Sequence, residues 1–281
     1  MTEPDEVEIP TGRVTGQTTT PIESATVILL RDGPEGLEVF MLERHIESDF
    51  AGGALVFPGG RVEAADQQLD TACWTGLDVD SAAAAMEATP ELALGWHVAA
   101  VRETFEESGF LLAERDGTPV RADDLAVPAL QEARRRLAAR DSDLDWEAWL
   151  REERLVLDLG RLVWWSWWVT PPGLHKRYET RFFVTRVPED QVGGHDRVEV
   201  VDSTWATPAA ALVAARDGRA TVIYPTRRNL DALAAFPTAA AVVGAARRGE
   251  VDLRRTVPEI VRLDDGTIRV RNPHTGELDE P

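Results

Sequence analysis

The sequence predicts an α/β fold, a mixed β-sheet flanked by helices, and three observations predict it. Apolar runs of strand length recur near residues 23–30, 37–43, 161–170, 178–187 and 197–206. Helical stretches lie between them, the clearest over residues 94–107, and Gly, Pro and Asp punctuate the joins. Strands and helices mixed in this way bury their apolar faces by layering helices on a sheet.

In chain order, residues 1–20 read as a flexible or extended segment. The first two strands are separated by Asp32-Gly33-Pro34, a turn by composition. Ala54-Leu55-Val56-Phe57 reads as a strand running into the turn Pro58-Gly59-Gly60, where glycine permits backbone approaches that other residues resist. Ser81 can cap a helix over Ala82–Ala88, and Thr89-Pro90 restarts a helix with Thr as N-cap and Pro at N1. Phe110–Glu114 looks like a strand ending at Asp116-Gly117. Residues 123–154 are largely helical, with a break at Asp141-Ser142-Asp143. After the later strands, Pro208 opens a helix through Arg216, and another runs from Thr226 to Ala235.

At 281 residues and 43% hydrophobic content the chain can bury a substantial core. Its net charge of −19 argues against duplex nucleic acid and against an anionic membrane surface, both of which need clustered Lys and Arg. The acidic start, Met1-Thr2-Glu3-Pro4-Asp5-Glu6, lacks the pattern of a secretory signal, and no run of about 18 apolar residues occurs. Cys73 is the single cysteine, which fits a reducing compartment. A cytoplasmic location is the expectation; the C-terminal Leu278-Asp279-Glu280-Pro281 shows no peroxisomal address. Oligomeric state stays open, a homodimer included.

Chemistry concentrates on the helix at 94–107. At about 100° per residue, Leu94, Val98, Val101 and Phe105 form one apolar stripe, and Glu103, Glu106 and Glu107 lie opposite. Like charges at this spacing repel, and a divalent cation would reverse that penalty. The plain alternative is the solvated side of an amphipathic helix. Arg102 beside the acids, Gly109 at the helix end and the small Ala99 and Ala100 toward the acidic side favour a site. The Gly60 carbonyl could join the carboxylates around one metal.

These residues resemble the Nudix hydrolase family, whose signature reads GX5EX7REUXEEXGU with U apolar. Gly60 stands at the opening glycine, Arg102 and Glu103 at RE, Glu106 and Glu107 at EE, and Gly109 with Phe110 at the closing pair. Thr104 occupies a position usually apolar. Asp66 stands where the first glutamate is expected, and the next spacer runs from 67 to 101 where the signature has seven residues. The spacer reads as loop and helix, and an insertion of this kind adds only slowly growing loop-closure entropy. A Nudix subgroup that includes a peroxisomal coenzyme A diphosphatase carries an insertion at this place. Similarity to it extends through Met41–Arg44, Val56–Asp66, Arg102–Leu112, Trp168–Val184 and Glu199–Leu212.

The resemblance implies an α/β/α sandwich over residues 21–240, with helical insertions near 67–94 and 120–154 and a C-terminal extension at 241–281. It implies metal-dependent hydrolysis of a nucleoside diphosphate joined to another group. Gly60, Glu103, Glu106 and Glu107 would hold Mg2+ or Mn2+ through oxygen, Arg102 would orient the carboxylates, and Glu103 or Glu199 would take the proton from water. Coenzyme A or its thioesters is the favoured small-molecule nucleotide substrate; ADP-ribose, reduced nicotinamide dinucleotides and dinucleoside polyphosphates stay open. A non-catalytic nucleotide-sensing or partner-binding module on the same scaffold is the alternative of another class, disfavoured because the acids are all present.

Other residues carry two readings each. In Trp164-Trp165-Ser166-Trp167-Trp168, strand alternation pairs Trp164 with Trp168 and Trp165 with Trp167; core packing competes with base stacking, for which Trp168 is the candidate. Lys176 and Arg177 in a loop, and Arg227 at a helix start, are either phosphate ligands or solvated turns. Arg44, at a strand end leading to the glycines, has the better case by resemblance. Cys73 reads as a bystander thiol and His97 as a packed helix residue. No GXSXG elbow, HEXXH helix or P-loop supplies a rival chemistry.

Overall fold

The computed structural model describes residues 7–9, 12–14, 19–44, 53–139, 144–188, 190–191 and 200–280. An eight-stranded sheet is built from β1 (Ile22–Gly33), β2 (Gly36–Arg44), β3 (Leu55–Val56), β4 (Gly59–Arg61), β5 (Val163–Val169), β6 (Tyr178–Arg186), β7 (Val200–Ala206) and β8 (Arg255–Thr256). The order is β7-β2-β1-β6-β5-β8, with β3 against β2 and β4 against β1. β1 runs parallel to β6 and β5 parallel to β8, while the other pairs are antiparallel, so the sheet is mixed as expected.

β1 is apolar at almost every central position because both its faces are covered. Ala25, Val27 and Leu29 share one cluster with helix α2 (Pro90–Ser108). Ile28 and Leu30 share the other with α6 (Pro208–Arg216), α7 (Tyr224–Leu233) and α8 (Ala239–Arg247). Alternate residues of one strand therefore face opposite helical layers, and the α/β/α arrangement follows.

The insertions depart from the loop-and-helix expectation. After the 3-10 turns Asp66–Gln68 and Thr71–Cys73, a short strand Trp74–Thr75 pairs in parallel with Leu155–Asp158. A small sheet that also takes in Ala113–Arg115 and Thr118–Pro119 thus joins the end of the second insertion to the first. α1 (Val79–Met86) starts earlier than Ser81, because the Asp78 carboxylate accepts the Ser81 N–H at 3.1 Å and is the cap. The second insertion folds as α3 (Ala122–Leu125), α4 (Pro128–Leu137) and α5 (Trp146–Glu152). The expected break at 141–143 lies outside the described residues.

α2 begins at the expected Thr89-Pro90, where Thr89 Oγ1 accepts the Leu92 N–H, and ends at Gly109 with φ 78°. Its first turns belong to the insertion, so the long spacer becomes a helix extension that leads straight into the acids. Gly59-Gly60, expected as a turn, is strand β4, paired with Thr26 and Ala25 of β1. Phe110–Leu112 runs buried ahead of a strand that starts only at Ala113. Residues 7–9 and 12–14 pair as a two-stranded antiparallel ribbon. α6 matches its expected span, α7 starts two residues early, and the unanticipated α8 places Ala239, Val242 and Ala246 in the sheet's own core. The 240 boundary therefore falls within a core helix.

The tryptophan strand shows why alternation failed there. Trp164 pairs with Phe183 and Ser166 with Phe182, so Trp165 is an extra residue in a β-bulge. The bulge shifts the register of faces. Trp164 and Trp167 lie on the side of Arg181, and Trp165 and Trp168 on the side of α7 and α8, so Trp167 and Trp168 have exchanged places relative to the expected pairing.

Candidate active site

The last turns of α2 lie against β4, and backbone without side chains is what lets them meet. The Gly59 N–H donates to Glu107 Oε2 at 2.9 Å. A Cβ on Gly60 would fall 2.4 Å from the Glu103 carboxyl carbon, so a side chain there would push the carboxylate out of this position. Glu107 is buried, and the Glu103 and Glu106 side chains are only 14% and 15% exposed. Burial on this scale removes the solvated-face alternative.

Arg102 organises the acids. Its Nε donates to Asp66 Oδ1 at 3.0 Å and its Nη2 to Asp66 Oδ2 at 2.9 Å, a bidentate pair. Nη1 donates to Glu103 Oε1 at 2.9 Å and lies 3.8 Å from Glu106 Oε2, and Nη2 also reaches the Arg61 carbonyl at 3.0 Å. Burial alone would lower the guanidinium's pKa, but Glu103, Asp66 and Glu63 outweigh it and hold the group charged well above the ordinary arginine value. Asp66, at the signature's first-glutamate position, is buried and turned to Arg102; its Oδ2 also accepts the Glu63 N–H at 2.8 Å.

Among the described residues, no three His, Cys, Asp or Glu side chains converge closely enough to cage an ion as they stand. Glu103 is drawn to Arg102 and Glu107 to the Gly59 N–H. The donor chemistry nevertheless fits a hard divalent cation. Glu103, Glu106 and Glu107 beside the Gly60 backbone offer oxygen alone.

The acids open onto a cavity of about 940 Å3. Ser24 and Thr26 of β1 and Tyr178, Thr180 and Phe182 of β6 line it at every second position, as strand geometry requires. Arg44, Lys176 and Trp168 line it as well, with Arg61 and Glu63 near the acids. Trp168 is half-buried, its Nε1 donating to Ser166 Oγ at 3.2 Å and its ring edge-on to Tyr224. Leu137, Leu144 and Trp146 supply an apolar wall from the second insertion.

Two expected phosphate ligands point elsewhere. Arg177 is buried, with Nε donating to Thr170 O at 3.0 Å and Nη1 to Thr19 O at 2.6 Å. Arg227 turns to the C-terminal segment, meeting Asp279 at 3.6 Å and the Glu280 carbonyl. Neither lines the cavity. Glu199 lies outside the described residues. Arg61, Tyr178 and Thr180 escaped the sequence reading, although alternation along β6 from Phe182 would have found the last two. His97 is buried, its Nδ1 2.7 Å from Ala93 O and its ring 4.7 Å from that of Phe183, and burial depresses its pKa to about 4.

A mixed sheet between helical layers, with a glycine strand abutting an REXXEE helix, defines a Nudix domain. The chain belongs to the Nudix family, matching the NUDT19 Nudix domain over residues 76–227. It is 32% identical over 219 residues to the acyl-coenzyme A diphosphatase NUDT19 of Gallus gallus, covering 64% of this chain and 56% of that one. The Xenopus laevis protein of the same name is 25% identical over 264 residues, covering 82% and 69%, and the human one 28% over 211 residues, covering 63% and 55%. The chain thus spans little more than half the length of the Gallus gallus and human relatives. A NUDIX hydrolase from Alicyclobacillus acidocaldarius superposes with a TM-score of 0.62 at 27% identity, covering 82% of this chain and 96% of that structure. No described helix is long and apolar enough to cross a membrane.

Proposed function

We propose that this chain hydrolyses the diphosphate linkage of coenzyme A or an acyl-coenzyme A, releasing adenosine 3′,5′-bisphosphate and 4′-phosphopantetheine or its acyl form. The observation that carries this reading is the approach of Glu107 to Gly59 and of Glu103 to Gly60, with Glu106 lining the same cavity, which is large enough for a nucleotide. The name shared by three relatives supports the substrate. Glu103, Glu106, Glu107 and the Gly60 carbonyl would hold Mg2+ or Mn2+, which when bound offsets diphosphate charge and lowers the pKa of water.

The chain's own groups then divide the work. Arg102 fixes Glu103 and shields its charge from Glu106, so the acids keep one arrangement. Arg44 and Lys176 give the cavity positive potential for phosphate oxygens. Trp168 offers a ring face to an adenine or an amide. The attacking water loses its proton to a carboxylate, Glu103 or Glu199, and the rate–pH profiles of Glu103→Gln and Glu199→Gln separate the two. One bridging P–O bond breaks, hydroxide adds to one phosphorus and the proton ends on the other fragment's phosphate. The single cysteine supports a cytoplasmic working place.

The test is chromatographic product analysis with coenzyme A, acyl-coenzyme A, ADP-ribose and reduced nicotinamide dinucleotide at equal concentration, in Mg2+ and in Mn2+. The expected result is adenosine 3′,5′-bisphosphate from the coenzyme A compounds as the fastest reaction, lost in Glu107→Gln. Faster cleavage of another substrate would replace the favoured one. Tight binding without turnover of any would revive the binding-module reading.

A further inference from the structure

The three glutamates occupy the last turns of α2, the end at which a helix dipole is negative, and α2 carries no basic residue in its last turn. Carboxylates crowded there repel one another and the terminal carbonyls alike. Arg102 answers the side chains; the cation that answers the carbonyls comes from outside the signature. Arg134 of α4 donates from Nε to the Glu106 carbonyl at 2.9 Å and from Nη2 to the Glu107 carbonyl at 2.9 Å. One planar fork thus satisfies two of the carbonyls that a helix end leaves without intrahelical partners.

Gly109 makes room for it. Gly109 ends α2 at φ 78°, a left-handed conformation, and a Cβ there would come within 2.8 Å of Arg134 Nη1. The glycine that closes the signature therefore serves two needs, the left-handed turn and the space for a guanidinium. α4 is held in place independently, since Leu130, Ala133 and Leu137 belong to the cluster that contains Phe105 of α2.

We propose that Arg134 is a positioning residue: the second insertion reaches back to fix the backbone of Glu106 and Glu107, while Arg102 fixes side chains. Bonding the carbonyls of the acid residues themselves limits the rotation and fraying from which the carboxylates would otherwise suffer at a helix end. The guanidinium also lowers the cost of gathering like charge there. This role rests on reading Glu103, Glu106 and Glu107 as the metal-holding acids.

The experiment compares the unsubstituted protein with Arg134→Met, Arg134→Lys and Arg135→Ala, the last an exposed arginine of the same helix paired with Glu132. Three quantities are read on each: Mn2+ affinity from the paramagnetic resonance signal of free Mn2+, kcat and KM with coenzyme A, and thermal unfolding. Arg134→Met is expected to weaken Mn2+ binding and kcat by about 10–100-fold, the range for losing an outer-shell partner, with KM within about twofold. Arg134→Lys falls between, because an ammonium is a point charge without the bidentate fork. Arg135→Ala is unchanged. A folded Arg134→Met with undiminished Mn2+ affinity and kcat overturns the proposal, even if its melting temperature falls. Should Arg134→Met not fold, undiminished Mn2+ affinity in Arg134→Lys overturns it. Absence of Mn2+ binding by the unsubstituted protein removes the metal reading and this role with it, whereas unchanged variants of a metal-binding protein remove this role alone.

Discussion

Two buried arginines lie along α2, Arg102 of the helix itself and Arg181 of β6, and they sit in opposite electrostatic situations. At its acidic end, the one guanidinium of Arg102 is shared by Asp66 at 2.9 Å, Glu103 at 2.9 Å and Glu106 at 3.8 Å. Toward its start, Arg181 lies between the rings of Trp96 of α2 at 4.0 Å and Trp167 of β5 at 3.5 Å. There a single carboxylate, Glu179, is shared by two guanidiniums, Arg255 at 2.8 Å and Arg181 at 3.5 Å. Burial pulls the Arg181 pKa down to about 10 against the attraction of Glu179 and Glu23, whereas Arg102 is held far above its ordinary value. Glu23 completes the second group, accepting from Trp96 Nε1 at 3.2 Å, and burial followed by Glu179 raises its pKa. The first group has negative charge in excess and opens on a cavity; the second is balanced, with Arg181 held between aromatic rings. Here the uncancelled charge faces a cavity, and the cancelled charge ties α2 to the sheet.

That contrast is open to direct attack. The largest effect belongs to Glu103→Gln: removing one acid from the cluster should lower kcat at least about a thousandfold, about 4 kcal/mol of transition-state stabilisation, while circular dichroism stays native. Loss of fold in place of loss of rate would make the acidic group structural too. Next, Arg181→Met should cost about 3–5 kcal/mol in a denaturant titration, because the buried Glu179 and Glu23 lose a partner. Its kcat, measured below the unfolding transition, should stay within about twofold; a large fall in kcat with intact stability would blur the distinction between the two groups.

The smallest effect is a pH dependence. His97 is neutral when folded, with a pKa near 4 against an ordinary 6.5, so the unfolded chain binds the extra proton between those values. Its share of stability is full above about pH 6.5 and is lost as the pH falls toward 4, with a slope of up to about 1.4 kcal/mol per pH unit. Subtracting the stability curve of His97→Gln from that of the unsubstituted protein should show this slope, and a flat difference would mean His97 is not buried neutral.

The same contrast explains what the sequence made legible. Signals carried by adjacent residues survived folding: Thr89-Pro90 and Gly109 bound α2, Pro208 opens α6, and the REXXEE spacing put the acids on one face. Signals that depend on a partner strand or a distant side chain did not. One inserted residue at Trp165 exchanged the faces of Trp167 and Trp168, and the pairing of β4 to β1 turned a glycine turn into a strand. Asp78 displaced Ser81 as a cap because its carboxylate, three residues back, accepts the N–H of Ser81 itself and draws that residue into the first turn. Arg177 and Arg227 look like phosphate ligands in one dimension, yet nearby carbonyls and carboxylates claim them in three. Arg134 had no local mark at all, since its partners lie 28 and 27 positions away.

The most direct test of unbalanced against balanced charge is thermal unfolding with and without saturating Mn2+ for the unsubstituted protein, Glu107→Gln and Glu179→Gln. Binding to the folded state alone raises the melting temperature. The same Mn2+-dependent rise is expected for the unsubstituted protein and Glu179→Gln, whatever their starting stabilities, and none for Glu107→Gln. A full rise in Glu107→Gln, or its loss in Glu179→Gln, would contradict the contrast between the two groups.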